Sequence, residues 1–167
     1  MAEGTCKARG ETVDWRCQRP NESGSQYCFW HSDREKSADE IQATRNLGIE
    51  ARGDAKVEGS LFFGPNLEGA NFQCLKLVEA KFGEGKWTNL KAANFSGADL
   101  WRAQFRGSDT LLDLSNAKFN NASLQDTLFE NVCLNKLGTH PIFFDNTGLV
   151  YCLLKSCMLR IARSVNE

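Results

Sequence analysis

The sequence predicts a mainly β solenoid with a small metal-binding module at its amino end and a helix at its carboxyl end. Three observations predict it. A period of five runs through the middle of the chain, as in PNLEG, ANFQC, LKLVE, AKFGE and later TNLKA, ANFSG, ADLWR, AQFRG. That period fits neither a helix at 3.6 nor a free strand at 2.0, but it fits a coil in which each block forms one flat side. Cysteines and a histidine recur at regular spacing before the repeat, and an apolar stripe at helical spacing follows it.

Composition sets the frame. A chain of 167 residues with 41% hydrophobic residues suits one compact unit plus a small appendage. No run of eighteen apolar residues is present, and Lys155 and Arg160 interrupt the most apolar stretch, so no membrane span is expected. The start, MAEGTCKARG, lacks the apolar core of a signal peptide. Seven cysteines without a secretion signal argue against a disulfide framework and for a cytoplasmic protein. Residues 55–136 carry nine acids and nine bases, and residues 1–36 carry six of each. Neither part has the basic surplus of a phosphate-binding surface, which argues against nucleic acid as partner.

Residues 1–32 are read as the metal module. Cys6, Cys17, Cys28 and His31 are spaced C-x10-C-x10-C-x2-H. Three thiolates and an imidazole make a closed tetrahedral zinc site with no position left for water, so Zn2+ is expected in a structural role. The loops between them are rich in Gly, Pro, Asn and Ser and cannot build a core alone, which ties folding of the module to its metal. Trp15, Tyr27 and Trp30 are expected to form what core there is.

Residues 33–54 are read as a linker helix, spanning Asp33–Leu47 with Ser32 or Asp33 as its cap, and as a cover for the open end of the solenoid.

Residues 55–136 are the repeat. Its centres are Val57, Phe62, Leu67, Phe72, Leu77 and Phe82, then Leu90, Phe95, Leu100 and Phe105, then Leu114, Phe119, Leu124, Phe129 and Leu134. A small or apolar residue stands two positions before each centre, and both sets should point inward. Two irregularities, Gly85–Trp87 and Ser108–Leu111, read as bulges or loops. Trp101, outward beside Arg102 and Arg106, reads as a candidate contact residue.

Residues 137–167 complete the chain. The frame of five could continue through Phe144, Leu149, Leu154 and Leu159, but the stripe Leu149, Val150, Leu153, Leu154, Cys157, Met158 and Ile161 points to an amphipathic helix over 147–163. Such a stripe needs cover, from the last coil or from a second chain in a homodimer. His140, beside Pro141 without a second ligand, reads as a turn residue.

The blocks, ANFSG-ADLWR above all, resemble the A-(D/N)-L-x-x pattern of the pentapeptide-repeat family. The resemblance implies a right-handed quadrilateral β-helix of four blocks per coil, and therefore roughly four coils stacked at the strand spacing of ~4.8 Å. The amino-terminal segment resembles the motif of three cysteines and one histidine that precedes the repeats in some bacterial and archaeal members. It also resembles the plant WRC motif at Trp15, Arg16 and Cys17, though without that motif's basic charge. The helical expectation after the repeats is strengthened by a resemblance of GLVYCLLKS to the region that follows the repeats in such relatives.

No nucleophile–base pair and no glycine-rich phosphate loop is present, so no enzyme is expected. The expected function is a non-catalytic protein-interaction scaffold whose protein partner the sequence does not name. The alternative is a nucleic-acid-related regulator, either through the zinc module or as a gyrase-protecting mimic of DNA. The electroneutral repeat argues against it.

Overall fold

The computed structural model describes residues 4–9, 17, 20–46, 59–84, 86–109, 111–134 and 153–155. The expected block at Ala55 and Val57, and Trp15, Leu47, Gly85 and His140, lie outside them. Among the described residues the fold is mainly β with one α-helix. The elements are α1 (Ala38–Asn46), β1 (Leu61–Phe62), a 3-10 turn at Pro65–Leu67, β2 (Lys81–Phe82), β3 (Gln104–Arg106), β4 (Leu112–Asp113), β5 (Leu128–Glu130), β6 (Val132–Cys133) and β7 (Leu153–Lys155).

The strands stack in parallel, in the order β1-β2-β3-β5-β7, with a second pair β4-β6. Leu61 pairs with Lys81, Lys81 with Gln104, Gln104 with Leu128, and Leu128 with Leu153. The chain thus returns to the same ladder after 20, 23, 24 and 25 residues. Twenty is four blocks of five. The surplus in the second and third returns falls on residues 83–89 and 107–113, at one corner of the stack.

The centres are buried, and their alternation of Phe and Leu sorts them into ladders. Phe62, Phe82, Phe105 and Phe129 stack in one column, with successive ring centroids 4.9, 4.4 and 4.8 Å apart. Phe72, Phe95 and Phe119 form a second, at 4.8 and 4.9 Å. The two columns meet edge-to-face, for example Phe82 against Phe95 at 5.4 Å. The edge-to-face contacts favour the ring quadrupoles, and the spacing within each column follows the strand spacing of about 4.8 Å. The described residues two before the centres, such as Ala70, Ala93, Ala98 and Ala117, are buried as well, except the half-buried Pro65.

The remaining block positions have backbone reasons. The N–H two residues before the next centre donates to the previous centre's carbonyl, as in Ala70 to Leu67 (3.1 Å) and Ala98 to Phe95 (3.0 Å). The third residue of that turn has positive φ, for example Gly69, Gly97, Asn116, Asn121 and Asp126. Glu68 and Gly69, at φ −58 and 69, match a type II turn. At five blocks the Asn or Asp before the centre (Asn71, Asn89, Asn94, Asp99 and Asp113) accepts from the backbone N–H two residues on, as Asn94 Oδ1 does from Ser96 (3.0 Å) and Asp99 Oδ1 from Trp101 (3.2 Å). These side chains brace the turns, so they are half-buried rather than purely solvent-facing.

Some blocks place a costly residue at the left-handed position. Ala92 sits there at φ 57, exposed. Ala92→Gly should stabilise the protein by about 0.5–1 kcal/mol, because an L-residue's penalty there exceeds the entropy glycine adds to the unfolded chain. A urea midpoint that fails to rise would show that this turn carries no strain.

The helix expected at the carboxyl end is corrected at Leu153–Lys155, which form β7. Leu154 pairs with Phe129, a block centre, so the frame of five holds there. The helical and pentapeptide patterns share this apolar run, and pairing with β5 satisfies its backbone along the stack. The other positions of the expected 147–163 helix lie outside the described residues. α1 begins later than expected, because Ser37 is its cap. The Ser37 hydroxyl accepts from the Glu40 N–H (3.2 Å) while the Glu40 carboxylate accepts from the Ser37 N–H (2.9 Å). This is a capping box.

Candidate metal centre

The amino-terminal segment folds back on itself through a few backbone bonds. Thr5 bridges Pro20 antiparallel, Lys7 donates to Gln26 (3.0 Å), and Cys17 donates to Ala8 (3.0 Å). A turn at Glu22–Ser25, with Gly24 at φ 76, reverses the chain. These pairings carry Cys6 and Cys17 to the tight turn at Cys28–Ser32, where the His31 and Ser32 N–H groups both donate to the Cys28 carbonyl at 3.1 and 2.9 Å.

All four residues expected as ligands come together. Cys6, Cys17, Cys28 and His31 are buried, and their ligand atoms lie within 4.8 Å of one another. Cys17 Sγ is 3.8 Å from Cys28 Sγ, while His31 Nδ1 is 3.5 Å from Cys6 Sγ and 3.1 Å from Cys28 Sγ. A tetrahedral shell with metal–sulfur bonds of about 2.3 Å and metal–nitrogen bonds of about 2.0–2.1 Å has edges of about 3.8 and 3.6 Å. The group therefore fits a metal ion, with Nδ1 as the histidine's ligand atom. Without an ion, the thiols hold one another in the neutral form. The hydrogen bond with Cys17, then burial, then the two neighbouring thiols push the Cys28 pKa up. A bound cation reverses that balance and holds the sulfurs as thiolates.

The cluster is seated against β1. Trp30, between two ligands, is 1% exposed and meets Phe62 edge-to-face at 5.9 Å. Its carbonyl accepts from the Leu61 N–H (3.1 Å), extending the ladder hydrogen bonds into the module. Phe29 packs edge-to-face on Trp30 at 5.0 Å. Ile41 of α1 is fully buried in the same core. Tyr27, by contrast, is 41% exposed.

Lys36 was not singled out by the sequence. It is 1% exposed, and its ammonium donates to the carbonyls of Ser32 (2.8 Å), Leu61 (2.8 Å) and Arg34 (3.3 Å). All three of its protons have acceptors. Burial, and then the charge of Arg34, pull its pKa down to about 8. Lys36 therefore stays protonated at neutral pH and ties the module's last turn to the first strand. Arg34 completes the seam with Glu22 (3.1 Å) and Glu40 (2.9 Å).

Trp101, expected as a contact residue, and Trp87, in the first irregular segment, have different environments. Trp101 is half-buried, donating Nε1–H to Asp126 Oδ2 (3.1 Å) beneath the Arg102 guanidinium, 4.7 Å from its ring. Trp87 is 57% exposed. It lines a cleft of about 430 Å³ together with Leu111, which is 37% exposed and belongs to the other irregular segment. The parallel pairing of Asn89 with Asp113 sets Trp87 and Leu111 at equivalent positions of adjacent returns of the chain.

Among the described residues no helix is long and apolar enough to cross a membrane. The family model described as pentapeptide repeats (8 copies) matches residues 87–109. The matched span holds the centres Leu90, Phe95, Leu100 and Phe105. No curated protein matches the chain.

Proposed function

We propose that this chain, which carries the pentapeptide repeat, is a non-catalytic protein-interaction scaffold: a right-handed quadrilateral β-helix closed at its amino end by a module with one structural zinc ion. The observation that carries the reading is the convergence of Cys6, Cys17, Cys28 and His31, all buried, on one point. Four protein ligands fill a tetrahedral shell and leave no position for a substrate or an activated water. Three thiolates with one imidazole suit zinc, and a reducing, cytoplasmic setting suits the free thiols. The four-sided coil is supported by the first return of twenty residues and by the sorting of Phe and Leu centres onto alternate sides. For the partner, the exposed Trp87 and Leu111 at one corner offer the apolar anchors that protein interfaces use.

Purified protein should contain one zinc per chain by elemental analysis. Cys17→Ser should abolish that stoichiometry, and Cys74→Ser, at an exposed thiol outside the cluster, should leave it unchanged. Equal zinc content in the two variants would refute the ligand set. Capture from the native host should retain a protein that Trp87→Ala releases. Retention on DNA that fades with rising salt would instead favour the nucleic-acid reading.

A further inference from the structure

We infer that the metal centre sets the stability of the first coil, so that metal occupancy is felt in the solenoid and not only in the module. The inference rests on the zinc reading above. Its physical basis is a short, unbroken chain of contacts. Cys28 and His31 flank Trp30 in one tight turn, and both neighbouring turn amides bond to the Cys28 carbonyl. Trp30 covers Phe62 at the end of the aromatic column and accepts the Leu61 N–H. Lys36 bonds at once to Ser32, next to the ligand His31, and to Leu61 of β1.

The first coil depends on this cover. In the aromatic column Phe105 lies between Phe82 and Phe129, whereas Phe62 has Phe82 on one side and the module's Trp30 on the other. A module too poor in apolar residues to hold its shape without metal would release Trp30 and the Ser32 carbonyl together. Phe62 and the Leu61 N–H would then meet water. In a stacked array, loss of a terminal interface weakens the end unit first and reaches the interior only through it.

Amide hydrogen exchange, read by NMR on the full chain loaded with one zinc and again after stripping with EDTA, tests the coupling. Leu61, Lys81 and Gly83 donate to Trp30, Ser60 and Phe62, so their amides report opening of the first coil. Phe95 and Leu100 donate to Lys118 and Ser123 in the interior. Stripping should speed exchange at Leu61, Lys81 and Gly83 at least tenfold and more than at Phe95 and Leu100. Lys36→Met should retain its zinc and yet exchange at least fivefold faster at the same three amides.

Unchanged exchange after stripping, in protein shown to have held one zinc per chain, overturns the coupling and leaves the zinc site standing. Zinc-loaded Lys36→Met with wild-type exchange removes the link from Lys36 and overturns the route argued here. Protein that never holds zinc overturns both readings.

Discussion

Phe95→Ala is expected to cost about 3–5 kcal/mol in urea unfolding, the range for truncating a fully buried aromatic. Phe95 is 0% exposed and touches four other rings. It stacks between Phe72 (4.8 Å) and Phe119 (4.9 Å) and meets Phe82 (5.4 Å) and Phe105 (5.5 Å) edge-on. Removing it leaves a void whose walls are fixed by ladder hydrogen bonds in the coils on either side, so the site has little freedom to collapse. Asn94→Ala, one residue away, removes a side-chain acceptor from the Ser96 N–H and should cost about 0.5–1.5 kcal/mol. Equal losses for the two variants would mean that the inward and outward assignments are wrong.

Gly83→Ala is expected to cost about 3 kcal/mol, through the backbone rather than the core. Gly83 has φ 90, and a Cβ there would run into the Arg106 carbonyl oxygen and approach Leu112 Cδ1 to 2.8 Å. The Arg106 carbonyl belongs to the next coil, so relief requires the coils to separate. Gly69 is the control. It also has positive φ, 69, but a Cβ there meets nothing within 4 Å, so Gly69→Ala should show only the left-handed penalty of about 1 kcal/mol. A Gly83→Ala midpoint no lower than that of Gly69→Ala would show that the coils accommodate the methyl group.

Much of this architecture is legible in the residues. The five-residue period identifies every described block centre from Phe62 to Leu134 as buried, because inward and outward positions repeat without drift. The cysteine spacing identifies the four residues that converge, because thiols clustered with a histidine are the donor set of a tetrahedral metal site. The carboxyl end is different. Leu153 and Leu154 satisfy a helical stripe and a pentapeptide frame equally well, and only pairing with Leu128 and Phe129 separates the two. Lys36 is illegible for another reason. Its sequence neighbours are those of a solvated linker, and its acceptors are backbone carbonyls, one of them 25 residues away. The Ser37–Glu40 capping box was readable as S-x-x-E, but Ser32 and Asp33 upstream offered an equally good start.

The successive returns of 20, 23, 24 and 25 residues have a consequence for how the chain can vary in length. Each return to the ladder closes a loop, and closure entropy grows only as the logarithm of loop length. Lengthening a coil from the shortest return to the longest changes that entropy by only about 0.2 kcal/mol. The register of the centres is kept at either length, since Phe62 pairs with Phe82 and Phe129 with Leu154. Extra residues at the corner of Trp87 and Leu111 are therefore nearly neutral for the column, while the same residues on a side would shift every following centre. Insertions and deletions can accumulate there, and new surface can arise at that corner, without any change in the core beneath it.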